Sequence, residues 1–228
     1  MPDTVPCLTA SEGAFAPGRR AAGEDPAKRE QILDGAKRVF MQKGFDAASM
    51  NDITREAGVS KGTIYVYFEN KEELFAALIE AERARIVASV KLALDVREPV
   101  EEALHDFGMA FVTGVTSDYT IRAMRTVLGV MDRMPNLALR FFSTGPENGF
   151  TVLKTYLERQ REAGRLTIDD TALAAQQFMA LSTAGTYKHR LFGVMEAPPA
   201  EEEVDRIVTS AVRVFMAAHR PGREGSAR

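Results

Sequence analysis

The sequence predicts an all-α chain in which an N-terminal three-helix unit is joined to a larger helical body. Three observations predict it. Apolar residues recur at helical spacing through most of the 228 residues. Gly, Pro and capping residues punctuate these runs at short intervals. Strand-like alternation is weak everywhere, with Thr63–Phe68 the one β-prone stretch. Pro99 follows the longest uninterrupted run and marks the boundary between the two parts.

Residues 1–25 are rich in Ala, Gly, Pro and charge and have no apolar period, so they read as a flexible arm. Asp25 is a plausible N-cap for a first helix that begins at Pro26, carries Ile32, Leu33, Ala36, Val39 and Phe40 on one side, and ends at Gly44. Ser49, with Asp52 three residues on, caps a second short helix whose apolar positions are Met50, Ile53 and Ala57. Gly58 breaks it. Ser60 caps a third, Lys61–Tyr67, and Asn70 caps a fourth that runs without Gly or Pro from Lys71 to Glu98 as a connector. The reading therefore sets a three-helix domain at 26–71, a body at 99–220 and a disordered tail at 221–228. Body helices are expected near 100–115, 118–132, 136–143, 146–163, 169–191 and 201–219.

Composition narrows the function classes. At 45% hydrophobic and 27% charged residues, this is an ordinary globular composition. No apolar run reaches the ~18–20 residues of a membrane span, so no membrane partner is expected. No basic stretch precedes an apolar one at the start, so no secretory leader is expected. Cys7 is the only cysteine, which forbids an internal disulfide and fits a reducing cytoplasm. Three scattered histidines and one cysteine do not assemble a closed metal site. An enzyme is the main rival class, but the chain has no Walker loop, Gly-x-Ser-x-Gly, His-Glu-x-x-His or Cys-x-x-Cys. His105-Asp106 is an isolated pair, and no catalytic residue, metal or cofactor is assigned. The net charge is −3, yet residues 26–71 carry +2 and the remainder −5, an asymmetry of the sign that a nucleic-acid face needs.

Residues 49–68, SMNDITREAGVSKGTIYVYF, carry most of the information. Two short helices are separated by Ala57-Gly58-Val59, where Gly58 supplies the left-handed backbone of a tight turn between crossed helices. Ile53, Ala57, Val59, Ile64 and Phe68 would form the internal core of this pair. Lys61, Gly62, Thr63, Tyr65 and Tyr67 would then remain outside, a short polar and aromatic face at a helix N-terminus, of a size that a major groove admits.

This segment resembles the DNA-binding signature of the TetR family of regulators. The likeness runs from Ile32–Phe40 through Gly44-Phe45, Ser49-Met50, Ile53, Ala57–Tyr65 and Tyr67-Phe68 to Asn70–Leu74. It implies a double-stranded DNA operator as partner, with Lys61 and Lys71 on phosphates and Gly62 allowing close backbone approach. Thr63 and Tyr65 would reach base edges, Tyr67 would bond a phosphate, and Ser49 would touch the backbone. Many relatives carry His where this chain has Tyr67. Ser60 is a further candidate phosphate contact, and each residue has a second reading: Ser49 and Ser60 as plain helix caps, Tyr65 packed on the first helix, Lys61 and Lys71 simply solvated.

The body resembles the ligand-binding half of the AefR-like branch of that family, through Pro135–Leu137, Phe141-Phe142, Gly145-Pro146, Tyr156-Leu157, Gly164–Leu166, Gln177-Phe178 and Arg190–Gly193. This implies a small-molecule effector and a homodimer. Phe107, Phe111, Met124, Leu128, Met131, Phe142 and Phe178 are the candidate pocket lining, with an ordinary core as the competing reading. Ala174, Phe178, Leu181, Val204, Val208, Ala211, Val212 and Phe215 are the candidate dimer surface, in a four-helix interface of two-fold symmetry. The alternative is an intrachain core face. A further rival is an effector-binding protein that no longer binds DNA; intact Lys61, Gly62, Tyr65 and Lys71 argue against it.

Overall fold

The structure is a computed structural model that describes residues 23–94, 99–133 and 147–221. Most of the 1–25 arm, the expected helix at 136–143, Phe142 and nearly all of the expected tail lie outside the described residues. The fold is all-helical, with no strand among the described residues. The helices are α1 (Pro26–Lys43), α2 (Met50–Ala57), α3 (Lys61–Tyr67), α4 (Lys71–Leu94), α5 (Val100–Thr116), α6 (Asp118–Val130), α7 (Gly149–Glu162), α8 (Thr171–Ser182), α9 (Thr186–Leu191) and α10 (Glu201–His219).

Local chemistry sets the ends of the first four. Asp25 accepts from the Ala27 amide ahead of Pro26, so the first helical turn starts with one orphan donor satisfied and one absent. Ser49 and Asp52 form a reciprocal capping box on α2. Gly58 stops α2 in the left-handed region at φ +63°, where a Cβ would be strained. Asn70 Oδ1 accepts from the Glu73 amide at 2.8 Å and caps α4.

Two hydrophobic clusters organise the molecule. The first holds Ile32, Leu33, Val39, Phe40, Phe45, Ile53, Ile64, Phe68, Leu74 and Phe75 from α1–α4 and the turns between them. Tyr119, Ala123, Val127 and Val130 of α6 belong to the same cluster, so a body helix completes the core of the N-terminal unit. The second cluster joins α4 at Val90 to α5, α7, α8 and α10. α4 therefore has one end in each core.

Two expectations about the body change. The helix expected over 169–191 is two helices, because Gly185 adopts φ +82° and turns the chain between α8 and α9. The apolar stripe of α10 faces inward. Val208 is 0% exposed and lies against Gly108 of α5, where an added Cβ would stand 2.5 Å from its Cγ1. Val204, Ala211, Val212 and Phe215 are buried in the same cluster, with Ala174 and Phe178 of α8. The missing side chain at Gly108 lets α5 and α10 approach so closely that the stripe is consumed within the subunit. Of the eight expected dimer residues, Leu181 alone stays on the surface, at 36% exposure.

Candidate nucleic-acid interface

α2 and α3 cross around Gly58, and α1 supports them from behind. Gln31 Nε2 donates to the Ala57 carbonyl at 2.7 Å, closing the end of α2, and Arg38 pairs with Glu56 at 2.6 Å. Gly35 of α1 touches Ala57 directly: a Cβ placed there would lie 2.6 Å from the Ala57 Cβ and 2.8 Å from its backbone N. The pair is thus held at a fixed angle, with Ile53, Ile64 and Phe68 fully buried beneath it.

On α3 the outer face consists of Lys61, Gly62, Tyr65 and Val66. Tyr65 is 45% exposed and Val66 50%. Lys61 makes no ion pair among the described residues. Ser60 Oγ accepts from the Thr63 amide at 3.0 Å and shares a hydrogen with Thr63 Oγ1 at 2.8 Å, so Ser60 caps the helix and ties down the Thr63 hydroxyl. Thr63 is half-buried at the edge of the face. Tyr67 turns toward the core and packs against the first cluster. Val66 takes the outward place that the sequence reading gave to Tyr67. The helical phase could have found it, since Val66 follows Gly62 by four residues on one face.

Ser49 is absorbed in its capping box: its hydroxyl donates to Asp52 Oδ2 at 2.8 Å and accepts from the Asp52 amide at 3.1 Å. Lys43 and Arg55 reach the other Asp52 oxygen at 2.7 and 2.9 Å. The Lys43 bond and the Ser49 hydroxyl together draw the Asp52 pKa down from 3.8 to about 2. A carboxylate with a depressed folded pKa contributes stability that is fully present above its ordinary pKa and is lost as pH falls through the folded value. The Asp52 contribution should therefore fade between about pH 4 and pH 2. Acid titration of the Asp52 carboxyl by NMR checks this, and a midpoint near 3.8 would contradict it. Lys71 does not point outward. Its Nζ donates to the carbonyls of Phe45 (2.7 Å), Asp46 (3.2 Å) and Ala48 (3.0 Å).

A protein-family model described as bacterial regulatory proteins, tetR family, matches residues 32–78, the whole of this crossed pair and most of α1 behind it. A second, the C-terminal domain of AefR-like transcriptional repressors, matches residues 102–221, more than half of the chain. The chain belongs to the TetR family. Among solved structures, a TetR-family transcriptional regulator from Mesorhizobium loti MAFF303099 superposes with a TM-score of 0.77 at 23% identity, over 85% of this chain and 97% of that one. The flavonoid-responsive regulator FrrA superposes with a TM-score of 0.67 at 30% identity, over 87% of this chain and 100% of that one. HTH-type transcriptional regulator YfiR of Bacillus subtilis (strain 168) is 32% identical over 111 residues, 43% of this chain. The HTH-type transcriptional repressor Rv1474c of Mycobacterium tuberculosis (strain ATCC 25618 / H37Rv) is 40% identical over 62 residues, 27% of this chain. The matches span 52% of the first protein's length and 33% of the second's. The relatives that this TetR-family member matches are described as transcriptional regulators.

In the body, Phe107, Phe111 and Phe178 come together: the Phe107 and Phe111 rings stack at 5.8 Å, and Phe107 and Phe178 lie 6.2 Å apart. Phe107 and Phe178 are fully buried, while Phe111 is partly open beside Met179 at the start of α7. Met124, Leu128 and Met131 are on or just beyond α6, and the last two are exposed, so they do not converge with the phenylalanines. A separate groove of about 590 Å³ runs between α4, α5 and the Pro198-Pro199 segment, past Ile86, Met109 and Thr113. Among the described residues no helix is long and apolar enough to cross a membrane.

Proposed function

We propose that this chain is a ligand-responsive transcriptional regulator, by default a repressor, that binds a palindromic operator as a homodimer and is released by a small hydrophobic effector. One observation carries the reading. The Lys61, Gly62, Tyr65 and Val66 face stands outward on a helix whose opposite side is locked into a core. Lys61 supplies the phosphate contact, Gly62 the close approach, Tyr65 and Val66 the contacts to base edges and thymine methyls. Ser60, Thr63 and Tyr67 fix the helix itself. Such a protein works where the chromosome is, in the cytoplasm.

The outer sides of α8 and α10 support the homodimer. Leu173, Leu181 and Val214 are exposed there, and Ala180, Ala184 and Ala218 leave room for a second pair of helices. To read a palindromic operator, a two-fold axis through that face has to set the two copies of α3 about 34–36 Å apart. The effector would sit over Phe111, Phe150 and Met179, the partly buried apolar residues at the edge of the second core. It would act by favouring the dimer state whose reading heads are wrongly spaced.

Selection of duplexes from a random library by the full chain is the decisive experiment. The expected product is an inverted repeat with half-sites one helical turn apart, or a multiple of it, released by an apolar compound such as a flavonoid, in keeping with the likeness to FrrA. Lys61→Ala should lower the slope of log K against log salt by about 0.9 on that duplex. Recovery of no preferred sequence at moderate salt would reject operator recognition.

A further inference from the structure

We propose that Lys71 acts on DNA binding as a positioning residue: its ammonium group clamps the loop between α1 and α2, fixes where α2 and α3 stand, and makes no phosphate contact. The inference rests on the DNA-binding reading above.

A lysine ammonium carries three N–H donors and no acceptor. Here three carbonyl oxygens surround it, at 2.7, 3.2 and 3.0 Å, and the Phe45 ring lies 4.5 Å below. Every donor is used inside the subunit. A phosphate could gain one only by leaving a carbonyl of the loop unpaired, two of these carbonyls being on the buried residues Phe45 and Ala48. Three carbonyl dipoles aimed at one point repel one another unless a cation sits among them. The loop conformation and the lysine therefore require each other.

The loop is the entry to the reading head, since it ends at the Ser49 cap of α2. Two cations of the body hold this loop and the last turn of α1 that leads into it. Arg133 Nη2 reaches the Asp46 carboxylate at 3.3 Å, and Arg122 Nη1 donates to the Met41 carbonyl at 2.7 Å. Lys71 is the first residue of α4, whose other end lies in the body core at Val90. Displacement of α4 thus passes into α2 and α3 through the ammonium group.

The test uses the full chain, the duplex recovered by selection, and titrations between about 50 and 200 mM salt. Lys71→Arg keeps the charge and the reach but cannot place three donors on one point. The expected result is a loss of about tenfold or more in affinity at every salt concentration, with an unchanged salt slope. Lys71→Met should behave alike. Retained affinity in Lys71→Arg, or a slope lowered by about 0.9 in Lys71→Met, would mark a phosphate contact and overturn the proposal. A wild-type measurement guards against variants that do not fold: the Lys71 side-chain ¹⁵N resonance should be the same in free and DNA-bound protein. A coupling to phosphorus on binding would overturn the proposal equally. Failure of the wild type to select any duplex would remove the regulator reading and this inference with it, whereas a phosphate signature at Lys71 removes this inference alone.

Discussion

Arg190→Met is expected to lower the unfolding free energy by about 1–3 kcal/mol, the cost of leaving buried polar groups without their donor. Arg190 is 2% exposed. Its Nε donates to the Thr116 carbonyl at 3.1 Å, and Nη1 donates to the carbonyls of Met195 and Glu196. Nη2 meets Asp118 Oδ1 at 2.5 Å. Methionine fills much of the volume but leaves the Thr116, Met195 and Glu196 carbonyls without this partner, and Thr116 is fully buried. The exposed Asp118 can hydrate, so the carbonyls dominate the loss. The effect should reach beyond stability. Arg190 ties α9 to the turn between α5 and α6, and Arg125 of α6 in turn caps α9 through the carbonyls of Arg190 (2.6 Å) and Leu191 (2.9 Å). Urea melts give the free energy. A midpoint shift worth less than about 1 kcal/mol would mean that water replaces the guanidinium without penalty.

Gly35→Ala is expected to destabilise although alanine is the better helix former by about 1 kcal/mol. The new methyl would stand 2.6 Å from the Ala57 Cβ, 2.7 Å from its Cα and 2.8 Å from its N. Two of those three atoms are backbone, so no side chain can swing away; α2 itself must move off α1. Overpacking of this kind costs about 1–3 kcal/mol, more than the propensity gain. Because α2 carries α3 across the Gly58 turn, the displacement also misplaces Lys61, Tyr65 and Val66. DNA affinity should fall by about tenfold or more, in line with the steep sensitivity of preorganised sites to small misplacements. Circular dichroism melts and titration of the selected duplex measure both. A variant that is more stable and binds normally would show that the α1–α2 crossing can relax.

What was legible in the sequence follows the range of the interactions involved. The starts and stops of α1, α2 and α3 come from partners within four residues: Asp25 with Pro26, Ser49 with Asp52, Gly58 alone, Ser60 with Thr63. Such signals are written next to one another. The direction of the α10 stripe was not legible. Period alone says that Val204, Val208, Ala211 and Phe215 share a side, whereas what they face depends on Gly108, a hundred residues earlier. The placement of the Lys71 side chain was not legible for a similar reason, since charge suggests solvent while its three acceptors belong to a turn more than 20 residues upstream. On α3 the difference is one of phase: Tyr67 and Val66 are adjacent, and the four-residue step from Gly62 puts Val66, not Tyr67, on the outer side.

The membership of α6 in the first core limits how this protein can be taken apart. Tyr119, Ala123, Val127 and Val130 share one hydrophobic seam with residues of α1 and α4. A fragment cut after Leu94 would uncover that seam to water and forfeit the burial that holds the reading head rigid. Chimeras that graft one family member's head onto another's sensor must accordingly carry the α6 seam residues along with the head, or redesign the seam, for the transplanted part to keep its shape.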